Sequence, residues 1–454
     1  MSYYQRNRER FLAGLIDFLK IPSISTDPTH RDDVARAAQF VAADLTASGM
    51  RNIEIIRSDG RHSLVYADWL DAPAKPTLLL YGHYDVQPPD PLNEWVSPPF
   101  EPAIRNDNIY ARGAVDDKGQ TYILLKTLEG FLKTSGRLPI NVRVLIEGEE
   151  EVGGAHIEEF VKRNPQRLTA DAALICDTEM FAPELPTICV GLRGILYGEL
   201  IVEGARTDLH SGIYGGAAPN PIQAIAEILT ALKDRNGRIL IPGYYDCVRP
   251  PSPEERAAWN RLPFNEAEML DKEVGSTSLV GDPSIPVLER LWAQPTIEVH
   301  GIRGGFTGEG AKTVIPARAL AKLSSRLVAD QDPRECTRML QAAVAAAAPK
   351  GVKARYEPIH WAGPSLVDPS SPFIQAAARA MTAIFGKETV YIRSGGSIPI
   401  VGLFHDHLGI PGVMMGFGLP DDNLHAPNEK FHLPNFYRGI ESVARYFEIL
   451  GASL

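Results

Sequence analysis

Histidine and carboxylate residues recur in this chain where short apolar runs end. Thr77–Tyr81 runs into Gly82-His83-Tyr84-Asp85. Ile140–Ile146 runs into Glu147-Gly148-Glu149-Glu150-Glu151, and Ala172–Cys176 runs into Asp177. Between them, Asp116 and Asp117 sit just ahead of a helical pattern that starts at Lys118. His83 and Asp85 are two apart, so in an extended chain they face the same side. Several carboxylates at one place raise one another's pKa unless a cation compensates, and a divalent ion supplies that charge. Histidine, aspartate and glutamate without thiolate suit Zn²⁺, with Mn²⁺ or Co²⁺ as alternatives. The charge count points to two ions, an arrangement that polarises a carbonyl and activates water near neutral pH. Each signal also has a plain reading by itself. Glu149–Glu151 can be a solvated face, His83 and Asp85 a local hydrogen-bonded pair, and Asp116-Asp117 a helix cap. Their joint placement after apolar runs favours a shared site.

Elements that place such residues together follow from the patterning. In the first 190 residues, helical spacing (Phe11, Leu12, Leu15, Ile16, Leu19) alternates with short β-branched runs. Asp32 and Asp33 are read as caps of a second helix. Strands alternating with helices imply βαβ units and a mostly parallel sheet. In an open α/β sheet, ligands bind beyond the carboxyl ends of the strands, which gathers His83, Asp85, Asp116, Glu150, Glu151 and Asp177 on one rim. From about Gly191 the pattern changes to alternating strands, with helices at Pro221–Leu232 and Pro333–Ala348. A proline-rich, weakly periodic stretch at Gly243–Pro295 reads as an insertion. After about Leu366 the α/β pattern resumes. The expected architecture is a discontinuous α/β domain, 1–190 and 366–454, interrupted by a smaller α+β domain over 191–365.

Composition excludes several classes. The 454 residues carry 46 Lys+Arg against 56 Asp+Glu, a net charge of −10, which argues against general binding to nucleic acid. Apolar runs fall short of the roughly 18 residues a membrane span needs. The four cysteines are scattered without C-x-x-C, and the N-terminus has no apolar signal region, so a cytoplasmic setting is expected. The stretch GFTGEGAKT at 305–313 breaks the phosphate-loop pattern at Ala311. Neither H-E-x-x-H nor G-x-S-x-G occurs, and Ser211 directly after His210 has the wrong geometry for a hydrolase triad.

Eight stretches carry a resemblance to a known family. They are IPSIS at Ile21, YGHYDVQP at Tyr81, RGAVDDKG at Arg112, EGEEEVGG at Glu147, DLHSGIYGG at Asp208, GAKTVIPARALAKLSSRLV at Gly310, RSGGSIP at Arg393 and HAPNEKF at His425. Together they run nearly end to end. They resemble the M20 metallopeptidases, in particular the carnosinase-like cytosolic dipeptidase branch.

The resemblance implies a phosphorylase/hydrolase-like catalytic domain, a lid/dimerisation domain and a homodimer. It implies that His83 and Asp177 bind one of two divalent metal ions, that Glu151 and His425 bind the other, and that Asp116 bridges both. Glu150 is then the general base acting on metal-activated water, and Asp85 orients His83. A cis peptide after Asp116 is also implied. His210 corresponds to a histidine that reaches across the dimer to the oxyanion. Arg326 corresponds to the arginine that grips the substrate carboxylate. Thr313, Ser397 and His360 correspond to further substrate contacts. Gly243–Pro295 fits the lid insertion of this branch. The expected reaction is hydrolysis of the amide of a dipeptide or a similar small N-acyl amino acid. The alternatives are an amino-acid N-deacylase or carbamoylase on the same scaffold, of the acetylornithine or succinyl-diaminopimelate hydrolase kind, and a non-catalytic binding protein.

Overall fold

The computed structural model describes residues 2–453. Within them the chain divides into two compact units. The first runs to Val190 and takes in Val367–Ile392 and the segment from Leu403 on. The second comprises Gly191–Leu366 and Arg393–Gly402. Residues 393–402, read from sequence as part of the resumed first region, pack with the second unit for a physical reason. Arg393 makes a two-pronged pair with Glu255, at 3.0 and 2.7 Å. Arg193 donates from Nε to the Gly395 carbonyl at 3.1 Å.

The first unit is built on a mixed sheet. Across it the strands run Arg51–Ile56, Leu64–Trp69, Asn141–Glu147, Thr77–His83, Ala172–Ile175, Gly412–Met414 and Thr187–Leu192. The central four of these (Asn141–Glu147, Thr77–His83, Ala172–Ile175 and Gly412–Met414) pair in parallel. The flanking pairs are antiparallel. Parallel pairing is thus confined to the centre. There the strands are nearly continuous buried apolar runs (Leu78, Leu79, Leu80, Tyr81; Ala172, Ala173, Leu174, Ile175), as strands covered on both faces must be. The helix Lys118–Ser135 is buried through its first three turns and ends on Gly136 in the left-handed region. His30, not Asp32 or Asp33, is the N-cap of Arg31–Ser48; both aspartates lie in its first turn, where they complement the helix dipole.

The second unit holds a four-stranded antiparallel sheet in the order Thr296–Gly304, Arg318–Leu327, Gly194–Glu203, Lys353–Ala362. One face packs on the helices Pro221–Leu232 and Pro333–Ala347 around Leu196, Leu200, Ile228, Leu323 and Leu340. Each helix starts with proline after a capping side chain: Asn220 Oδ1 accepts from Ile222 N, and Asp332 Oδ1 from Arg334 N. The proline-rich stretch contains the short helices Pro253–Trp259 and Val287–Ala293.

Candidate metal centre

The parallel strand Thr77–His83 delivers His83 to the carboxyl edge of the sheet, fully buried. Gly82 before it is required by packing. A Cβ there would sit 2.1 Å from Thr121 Oγ1 and 2.9 Å from Asp117 Oδ2. That close approach lets the start of the Lys118 helix lie against the strand end and lets Asp117 Oδ2 accept from His83 N at 3.1 Å. The Asp116–Asp117 peptide is cis.

Two donor groups converge here and share one residue. His83, Asp116 and Asp177 place one ligand atom each within 4.8 Å of one another, and so do Asp116, Glu151 and His425. Asp116 uses a different oxygen for each. Oδ1 lies 3.1 Å from His83 Nε2, and Oδ2 lies 2.9 Å from His425 Nε2. Asp177 Oδ2 is 3.9 Å from His83 Nε2, and Glu151 Oε2 is 3.4 Å from His425 Nε2. His83 Nδ1 faces the backbone oxygen of Asp85 at 3.1 Å, with its carboxylate at 3.5 Å. His83 Nε2 is among the buried side-chain atoms of the described residues that make no hydrogen bond. An imidazole held by one nitrogen, with the other bare and aimed at carboxylates, fits a metal ligand.

The electrostatics point the same way. Burial pushes Glu150 and Glu151 up to about 8 and Asp177 up to about 6, with neighbouring carboxylates adding to the rise. Burial would also raise Asp116, but His425 and His83 outweigh it and hold that carboxyl well below its ordinary range. Asp116 in turn holds His425 up to about 9. Burial works against a charged His83, yet Asp116 and Asp85 beside it keep that imidazole well above its ordinary value. This much negative charge gathered around two histidines calls for added positive charge, which a divalent ion would supply.

Asp85 has a wider part than sequence suggested. Its carboxylate, fully buried, accepts from Glu150 N at 3.2 Å through Oδ1 and from Glu151 N at 3.1 Å through Oδ2. It therefore holds the turn that presents both glutamates as well as facing His83. Gln87, which the sequence reading passed over, donates from Nε2 to Glu151 Oε2 at 2.7 Å. Its only sequence signal is its place within YGHYDVQP. Glu149, between the strand and Glu150, is a scaffold, since its carboxylate accepts from His62 N and His156 N.

The other predicted residues lie in the second unit. His210 ends the short strand Leu209–His210, paired with Val314, and its Nδ1 accepts from Gly212 N at 3.0 Å. The adjacent Thr313 accepts from Ser211 N at 3.0 Å through its carbonyl. Arg326 donates from Nη1 to Ser397 Oγ at 2.9 Å, and Ser397 Oγ donates to the Arg193 carbonyl. Burial, and then Arg326 beside it, push the Arg193 guanidinium down to about 10. Two cations side by side favour an anion. His360 stacks on Tyr197 at 5.3 Å between ring centroids, and His300 also stacks on it at 5.7 Å. Neither Arg193, Tyr197 nor His300 was singled out from sequence, because one arginine or aromatic residue in a strand has no distinguishing pattern.

Known proteins resemble this chain in sequence and in fold. Residues 79–449 match the profile of Peptidase family M20/M25/M40. The chain is similar to the Cys-Gly metallodipeptidase DUG1 of Saccharomyces cerevisiae, with 32% identity over 464 residues covering 98% of this chain and 96% of that one. It is similar to the Beta-Ala-His dipeptidase of Homo sapiens, with 30% identity covering 98% and 91%. Among solved structures, the metallo-carboxypeptidase Sso-CP2 of Sulfolobus solfataricus superposes with a TM-score of 0.85 at 34% identity, covering 97% of this chain and 99% of that one.

Proposed function

The chain belongs to peptidase family M20/M25/M40, and from that membership we propose that it is a dinuclear metallodipeptidase. The observation that carries the reading is the shared Asp116, one oxygen toward each histidine, at the junction of two three-residue ligand sets. His83 and Asp177 would hold one ion, Glu151 and His425 the other, with Asp116 common to both. Two divalent ions there supply Lewis-acid polarisation of the scissile carbonyl and a nucleophile from water at neutral pH. Zn²⁺ is the first choice for this donor set, with Mn²⁺ and Co²⁺ compatible.

The chain's own residues do the remainder. Glu150, next to a ligand yet outside both sets, takes the proton from the attacking water and returns it to the leaving amine. Asp85 fixes Glu150 and Glu151 through their backbone N–H groups. Arg326, held by Ser397, receives the substrate carboxylate in a forked hydrogen bond, with Thr313 and His360 as further contacts. His210 stabilises the developing oxyanion, where loss of one donor costs about 10²–10³ in kcat. We infer a homodimer as the working form, with His210 serving the neighbouring copy, and a cytoplasmic setting. The substrate is a small peptide, in keeping with relatives named for Cys-Gly and Beta-Ala-His. Hydrolysis of a panel of free dipeptides, their C-terminal amides and N-acetyl amino acids tests this. Free dipeptides should be cleaved at least tenfold faster than the rest, and preferential deacetylation would contradict the reading.

A further inference from the structure

Glu429 is fully buried four residues beyond His425, and its carboxylate is surrounded by donors from one loop. Oε2 accepts from Arg112 Nη1 and Gly113 N, both at 2.8 Å. Oε1 accepts from Val115 N at 3.0 Å and Asp116 N at 3.1 Å. Its backbone carbonyl accepts from Ala111 N at 3.1 Å. Three peptide N–H groups of Gly113, Val115 and Asp116 thus close on a single carboxylate, forming a concave anion cradle filled from within the protein. Gly113 makes the curl possible. It lies at φ +80°, and a Cβ there would meet Val86 Cγ1 at 2.6 Å.

The other side of the joint is equally fixed. Lys430–His432 pairs with Asn108–Tyr110, next to the same loop. Lys430 Nζ binds Asp422 Oδ1 at 2.7 Å, and Asp422 Oδ2 accepts from Leu419 N at 2.7 Å. These bonds brace both ends of the loop that carries His425, which itself sits in the left-handed region at φ +58°. Glu429 is where the braced loop meets the backbone of Asp116.

We propose that Glu429 is a positioning residue that sets Asp116 against His425, so that ion affinity depends on a carboxylate outside the ligand set. The proposal rests on the reading that Asp116 and His425 hold metal. Glu429→Gln keeps the shape but offers only one oxygen. Its amide nitrogen must face two donors, and the stranded N–H groups are relieved only by moving residues 113–116 or 425–430. Asp116 shares its two oxygens between histidines at 2.9 and 3.1 Å, so movement on either side unbalances it.

The test strips the full-length protein with a chelator and measures Mn²⁺ and Zn²⁺ affinity by competition with a chromophoric chelator. Glu429→Gln should bind about 10- to 100-fold more weakly than wild type. Ile228→Ala, a buried helix residue of the second unit, should lower the unfolding midpoint and leave metal affinity unchanged. Wild-type affinity in folded Glu429→Gln overturns the proposal. His83→Ala separates the two readings. If it loses metal while Glu429→Gln does not, only the role of Glu429 fails. If neither loses metal, the metal centre itself is misassigned. Should Glu429→Gln not fold, hydrogen exchange on metal-free wild type decides. The amides of Gly113, Val115 and Asp116 should exchange slowly, and exchange at exposed-loop rates overturns the proposal.

Discussion

Asp85→Asn changes almost nothing in volume and tests how the two glutamates are held. The carboxylate accepts one backbone N–H on each oxygen, from Glu150 at 3.2 Å and Glu151 at 3.1 Å, with His83 Nδ1 3.5 Å from Oδ1. Asparagine has one oxygen, so in either orientation its NH2 group confronts a buried N–H. A hydrogen bond to a charged group contributes about 1.5–3 kcal/mol, and the surviving bond falls to that of a neutral acceptor. Losing one and weakening the other costs about 2–3 kcal/mol at the site, or about 30- to 150-fold. Because the two amides belong to the proposed base and a proposed ligand, the loss should divide between kcat at saturating metal and metal affinity. KM for a dipeptide should change less than twofold. Steady-state kinetics over a Mn²⁺ series, with circular dichroism to verify folding, measures both. Folded Asp85→Asn with kcat and metal affinity within twofold of wild type would show that Asp85 does not hold this turn in the working enzyme.

Glu150→Gln should retain two ions per chain by elemental analysis and lose about 10²–10⁴ in kcat, the range for a general base; near-wild-type turnover would remove that role. Arg326→Met should raise KM for free dipeptides about tenfold or more and leave that of their C-terminal amides nearly unchanged, because only the former offer a carboxylate. Equal losses on both would place the arginine elsewhere in the reaction. For pH, Glu129 is informative. Burial would raise its carboxyl, but Arg10 and Lys126 hold it down to about 2 from 4.5. A depressed carboxyl contributes stability above its unfolded pKa that is lost on acidification, so Glu129→Gln should flatten the loss of stability between about pH 4.5 and 2. An unchanged acid-unfolding profile would refute the linkage.

What could be read in advance was whatever combined residue type with position at the end of an apolar run. His83, Glu150, Glu151 and Asp177 stand at or just beyond the ends of buried strands whose β-branched and leucine runs are plain in the sequence, and the structure gathers the side chains of His83, Glu151 and Asp177 with those of Asp116 and His425 into two groups that share Asp116. The strand Lys353–Ala362 escaped notice because its alternation spans only Lys353–Glu357 before breaking at Pro358, and most of the strand is exposed. The helix Pro399–Leu408 lay behind a glycine-rich turn that reads as loop. Residues that support the site from behind the ligands escaped too. Glu429 within HAPNEKF, which holds backbone amides, and Gln87 within YGHYDVQP, which donates to the Glu151 carboxylate, have ordinary side chains, and only tertiary placement shows what they hold.

Catalysis by a two-ion centre is tested most directly by titrating chelator-stripped enzyme with Mn²⁺ while following dipeptide hydrolysis. Activity should be absent without metal and rise to a plateau at two equivalents per chain. Undiminished hydrolysis in the stripped enzyme, or a plateau at one equivalent, would contradict it.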